Sequence, residues 1–76
     1  MTEKHLQIMG FRQEAADDSY YYAYSIGGLT FITNECKDEV KNDEWSVDVF
    51  DNDTFKIKSA VDMIELISIL ERSLRN

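Results

Sequence analysis

The sequence predicts a small α+β domain: an antiparallel sheet of about five strands, made of an N-terminal strand plus two hairpins, covered on one face by a single C-terminal helix. Three observations carry this expectation. Two β-rich runs, Tyr20 to Ile26 and Leu29 to Thr33, flank the pair Gly27-Gly28. A second alternating pair of runs flanks Asp51-Asn52-Asp53. After Ser59 the pattern changes to that of an amphipathic helix.

In order along the chain, Leu6 and Ile8 alternate with polar neighbours as in a half-buried strand, and Gly10 marks its end or a bulge. Arg12 to Ser19 reads as a polar loop. Gly27-Gly28 fits a two-residue type I′ turn, which needs positive φ at both central positions. That turn pairs Ile26 with Leu29, Tyr24 with Phe31 and Tyr22 with Thr33, so aromatic and branched residues meet on one face. Asn34 to Glu44 is an acidic connector, too polar for the core, with room for a helical turn around Val40 capped by Asn34. In the second hairpin, Trp45 to Phe50 and Thr54 to Lys58, a three-residue loop pairs Val49 with Phe55, Val47 with Ile57 and Asp48 with Lys56. Each apolar residue then faces another, and the outward pair has opposite charge. Ser59 caps a helix to about Leu74, with Asp62 completing an approximate capping box. Ala60, Met63, Ile64, Leu66, Ile67, Leu70 and Leu74 form its apolar stripe, and Arg72 and Arg75 suit its negative C-terminal end. Ile69 falls among the polar residues, either as a tolerated surface side chain or as a partner or dimer contact.

The 76 residues carry 8 Lys plus Arg against 15 Asp plus Glu, a formal charge of −7, and are 43% hydrophobic. One domain spanning 1–76 is expected, too apolar to be a disordered acidic tail and too small to hold both a core and a deep cleft. The acidic balance argues against direct binding to nucleic acid or anionic membranes. No apolar run approaches the ~18 residues of a membrane span, and no signal-peptide pattern opens the chain, so a cytoplasmic protein is expected. Cys36 is the only cysteine, which excludes an intrachain disulfide. With no metal cluster in the pattern either, oligomerisation, in the simplest case a homodimer, is the remaining staple for so short a chain.

Motifs for chemistry are absent from the pattern. His5 has no carboxylate or nucleophile at a recognisable spacing. Cys36 stands among Glu35, Asp38 and Glu39, which raise a thiol pKa and weaken a nucleophile. Asp51-Asn52-Asp53-Thr54 begins like a calcium loop, but Phe55 and Lys56 replace the ligand and glycine that should follow. Gly27-Gly28 lacks the spacing and the following helix of a phosphate loop. Tyr20, Tyr22 and Tyr24 lack the Lys and Arg of a nucleic-acid stacking platform, so core packing accounts for them. Neither a catalytic residue nor a cofactor is expected.

The uneven charge is the one functional lead. Arg12 to Ser19 sums to −2 and Asn34 to Glu44 to −3, with Asp51 and Asp53 adding a third acidic loop. Solubility alone explains a charge of this size. The alternative is a non-enzymatic module whose clustered carboxylates steer it to a basic protein surface. Asp17, Asp18, Glu35, Asp38, Glu39, Asp43, Glu44, Asp51 and Asp53, with Ile69, are the expected contact residues. Acids two apart on a strand are about 6.8 Å apart, comparable to phosphates two steps apart on DNA, so the partner's groove would be one that binds nucleic acid. In size and charge alone the chain is of the kind seen in small acidic inhibitors of nucleases carried by phages and mobile elements. A structural homo-oligomer, built through an edge strand, Ile69 or the uncovered sheet face, is the competing expectation.

Overall fold

The computed structural model describes residues 1–50 and 52–74. The chain runs α1 (Glu3–Met9), β1 (Arg12–Ala16), β2 (Ser19–Ile26), β3 (Leu29–Thr33), β4 (Val47–Val49), β5 (Asn52–Ile57) and α2 (Ala60–Leu74). The five strands form one antiparallel sheet in the order β1-β2-β3-β4-β5, each paired with its neighbour in the chain. The α+β architecture with a C-terminal helix on the sheet is therefore as expected, but the N-terminal part is not.

The segment expected as the first strand is helix α1. Thr2 Oγ1 accepts from His5 N–H at 3.2 Å and His5 Nδ1 accepts from Thr2 N–H at 3.0 Å, a reciprocal cap with His in the place usually held by Glu. At the other end Gly10 takes φ 97°, while Phe11 N–H bonds to Leu6 O and Gly10 N–H to Gln7 O. The caps and a single buried turn win over the apparent alternation, because Leu6 is fully buried while Ile8 is 72% exposed. The fifth strand comes instead from the expected loop: β1 pairs with β2 from Arg12↔Ala23 to Ala16↔Ser19, around the two-residue turn Asp17-Asp18. Asp17 occupies the left-handed region at φ 52°, a role that short polar side chains tolerate.

The glycine hairpin has the expected register, with Ile26↔Leu29 and Tyr24↔Phe31 paired and Gly27 and Gly28 at φ 58° and 82°. In the second hairpin Val47↔Ile57 and Asp48↔Lys56 pair as expected, but Val49 pairs with Asn52 and not with Phe55. The cause lies on β3. Phe50 N–H bonds to Thr30 O at 2.8 Å and Val49 pairs with Phe31, so the end of β4 is held by β3 and the surplus of β5 becomes an irregularity beside Asp48. Asp51, in the expected three-residue loop, lies outside the described residues, as does Arg75.

Tyr22, Phe31, Trp45, Val47, Leu6 and Met63 are the largest fully buried side chains, joined in one core by Phe11 and Ile67. Each such burial is worth about 1.5–3 kcal/mol. Phe11 stacks on Tyr24 with centroids 5.3 Å apart, and Trp45 meets Tyr22 edge-on at 5.4 Å. Ser59 Oγ accepts from Asp62 N–H at 3.4 Å to open α2. Of the expected stripe, Met63 and Ile67 are buried and Leu66 and Leu70 half-buried, whereas Ile64 and Leu74 are exposed. The connector forms turns, one of them the expected helical turn, closed where Val40 N–H donates to Cys36 O at 3.2 Å. Val40 nevertheless packs against the core, so this segment is less detached than its polarity implies. Among the described residues, no helix is long and apolar enough to cross a membrane.

Candidate functional site: an acidic end and a polar lock

In a meander of neighbouring strands, alternate connections share an end of the sheet. The Asp17-Asp18 turn therefore lies at the same end as the 34–46 connector, and the Gly27-Gly28 turn lies at the opposite end with the β4–β5 connection. The connector is bound to the start of β2: Lys37 N–H donates to Tyr20 O at 2.8 Å, and Asp38 N–H to Ser19 Oγ at 3.2 Å. This places Asp38 beside the turn that carries Asp17 and Asp18.

Two acidic groups result. Around Cys36 lie Asp17, Asp38 and Glu39. The thiol and the carboxylates of Asp38 and Glu39 come within 4.8 Å of one another, and Glu39 also accepts from Cys36 N–H at 3.0 Å. Burial pushes the Cys36 thiol pKa up, and Glu39, Asp38 and Asp17 push it further. The thiol is thus held protonated, the opposite of what a nucleophile or a soft-metal ligand requires. Glu35 and Glu44 form the second group, lining a shallow depression of about 320 Å³ with Met1, Trp45, Ser46 and Lys58.

The other expected contact residues are placed differently. Asp43 Oδ1 accepts from Glu3 N–H at 3.0 Å and from Trp45 Nε1–H at 2.9 Å, so this carboxylate joins the connector to α1. These bonds, the one from Glu3 first, hold its pKa below the usual carboxylate range. Ile69 is half-exposed on α2 beside Ile64, Ser68 and Arg72, away from the acidic end. Asp51 and the side chain of Asp53 fall outside the described residues; the backbone of Asp53 belongs to β5.

Two features escape a reading by segment. Glu3 sits at the centre of a polar lock: its Oε2 accepts from Tyr20 OH at 2.7 Å and Tyr22 OH at 2.6 Å, and its Oε1 from Lys37 Nζ at 3.2 Å. The Tyr22 bond does most to lower the Glu3 pKa, against an opposing effect of burial. Tyr20, bonded to the carboxylate, and Tyr22, chiefly through burial, are both raised. The second feature is an apolar groove of about 440 Å³ between α2 and the sheet, lined by Leu29, Phe31, Val49, Phe55, Leu66 and Leu70.

Together these define a small α+β meander with one acidic end and one greasy flank. No protein-family model matches the chain, and neither a curated protein nor a solved structure is similar to it.

Proposed function

We propose that the protein is a non-enzymatic binding module that docks its acidic end on a basic surface of another protein. The reading rests on one observation: the backbone bonds from Lys37 and Asp38 to β2 draw acids from two segments some twenty residues apart onto a single end of the sheet. Lys37, a nearby cation, is already engaged by Glu3. A surface of this kind speeds encounter with a basic groove and rejects acidic competitors. A groove that ordinarily holds a nucleic-acid backbone has the required chemistry, and blocking such a groove would make the module an inhibitor.

The test is a charge reversal confined to residues that do not build the fold. Asp18, Glu35, Asp38 and Glu44 are changed to Lys, while Asp17 is left alone because it holds a left-handed turn position and Asp43 because it holds α1. The variant keeps the wild-type circular dichroism spectrum but loses partner capture from lysate, and added duplex DNA competes with the wild type for the captured protein. Capture by the reversed variant at the wild-type level would remove the reading.

The apolar groove favours a second reading, self-association. Sedimentation velocity over a hundredfold range of concentration decides it: a concentration-dependent shift to a larger species supports a homo-oligomer, and a monomer throughout eliminates it.

A further inference from the structure

Strand register divides the sheet between two faces. Tyr22, Tyr24, Phe31, Val47 and Ile57 point to the face where Leu6 of α1 and Met63 and Ile67 of α2 complete the core. Arg12, Glu14, Tyr21, Ile32, Asp48 and Lys56 share the opposite face, which is left without a helix.

Asp48 stands on that bare face and is only 7% exposed. Its Oδ1 is buried and has no hydrogen-bond partner among the described residues. Its cross-strand neighbour on β3, Ile32, offers only hydrocarbon, and the one on β5, Lys56, is exposed and makes no ion pair with it. A carboxylate oxygen stripped of water and left unpaired weakens the isolated fold, and none of the described residues offers Oδ1 a donor.

We infer that Asp48 receives an arginine side chain of the partner protein, and that the bare face of the sheet is the surface the partner covers. The inference deepens the reading of the protein as a module for basic protein surfaces, and rests on it. Arginine fits better than lysine. Its guanidinium is planar, weakly hydrated and presents paired N–H donors to a carboxylate, whereas an ammonium must shed a tightly held water shell. Half-buried Ile32 and Tyr21 supply an apolar bed on which the arginine stem lies. β4 begins where the acidic connector ends, so the two regions are continuous. The exposed acids govern approach, and the desolvated one governs retention and the choice of cation.

The experiment is a ¹⁵N-resolved NMR titration with hexa-arginine and hexalysine peptides at about 0.15 M salt, where exposed charges are largely screened beyond about 8 Å. With hexa-arginine the amides of Ile32, Asp48 and Lys56 shift saturably, and Asp48→Asn weakens that binding about tenfold or more. Hexalysine shifts only the acidic end. Asp48→Asn unfolds at a denaturant concentration no lower than wild type, and Asp48→Leu, which also removes the charge, serves as a second variant if the first does not fold.

Unchanged hexa-arginine affinity in both variants would overturn the inference, as would equal binding of the two peptides. The quadruple reversal, run in the same titration, separates this idea from the broader one. If it leaves the Asp48 response intact while Asp48→Asn abolishes it, the acidic-end reading fails alone. The converse result removes Asp48 and keeps the acidic end.

Discussion

Replacing Tyr22 by Phe tests whether the polar lock stabilises the fold through charge. Tyr22 is 1% exposed, and its hydroxyl lies 2.6 Å from Glu3 Oε2 and accepts from Gln7 Nε2 at 3.2 Å; the change deletes one oxygen, and the Gln7 bond is lost alike in every background compared. Hydrogen bonds to charged groups contribute about 1.5–3 kcal/mol. The Glu3 side chain keeps 20% of its surface in solvent, which favours the lower end, about 1.5 kcal/mol. For a domain of this size that loss lowers Tm by about 6–12 °C. Urea denaturation followed by the fluorescence of Trp45, whose ring meets Tyr22, measures it directly. The decisive comparison is the same substitution in a Glu3→Gln background, or at a pH where Glu3 is protonated. The bond to residue 3 is then neutral, and its share of the cost of Tyr22→Phe drops to about 0.5–1 kcal/mol. Equal costs in the two backgrounds would show that the Glu3 charge is irrelevant and refute the argument.

Four further outcomes are expected. Met63→Ala, at a fully buried position, costs about 2–5 kcal/mol in chemical denaturation, and a loss below 1 kcal/mol would mean that α2 closes over the gap. Gly27→Ala loses about 1 kcal/mol, because φ is 58° and a Cβ there stands 3.1 Å from Leu74 Cδ2; an unchanged midpoint would contradict this geometry. Stability against pH has two flanks. Glu3 and Asp43 titrate below their ordinary values of 4.5 and 3.8, so their contribution is present above those values and disappears as pH falls through the native pKa values. Tyr20 and Tyr22 titrate above 10.0, so theirs is present below that pH and disappears as pH rises through the native values; Glu3→Gln with Tyr22→Phe flattens both flanks, and a profile identical to wild type would speak against the lock. Cys36 reacts with iodoacetamide more slowly at neutral pH than an unstructured cysteine peptide does, and a faster reaction would contradict the raised thiol pKa.

What could be read in advance follows the range of the forces involved. The glycine hairpin and α2 were legible because their signals are local: positive-φ residues between β-rich runs, and a capped 3.6-residue period. The N-terminal segment misled because Leu6 and Ile8 alternate over only three residues, too few to separate a strand from one turn of helix. Its better signals were Thr2 before acidic Glu3 and Gly10 eight residues later, which bracket a short helix. Strand β1 was hidden because its core-side residues are Gln13 and Ala15, and its charged Arg12 and Glu14 are what an edge strand carries to discourage further pairing. The acidic end was half legible. Its residues were identifiable by charge, but the convergence of the 17–18 turn with the connector depends on bonds to Ser19 and Tyr20 that no local pattern encodes. The internal use of Asp43 escaped for the same reason, since its donors include a backbone amide forty positions away.

Helix α1 has an unusual relation to the rest of the chain. Every partner that fixes its first turn from outside (Tyr20, Tyr22, Lys37, Asp43 and, through Asp43, Trp45) is synthesised after it. As the polypeptide leaves the ribosome, these seven residues emerge before all of those partners and, being too few to persist as an isolated helix, must wait until Trp45 has cleared the exit tunnel before they can dock. The β2–β3 ribbon, whose contacts are all between near neighbours, is complete by then and supplies the platform. Helix α1, made before every group that holds it, is thus the last part of this half of the molecule to settle.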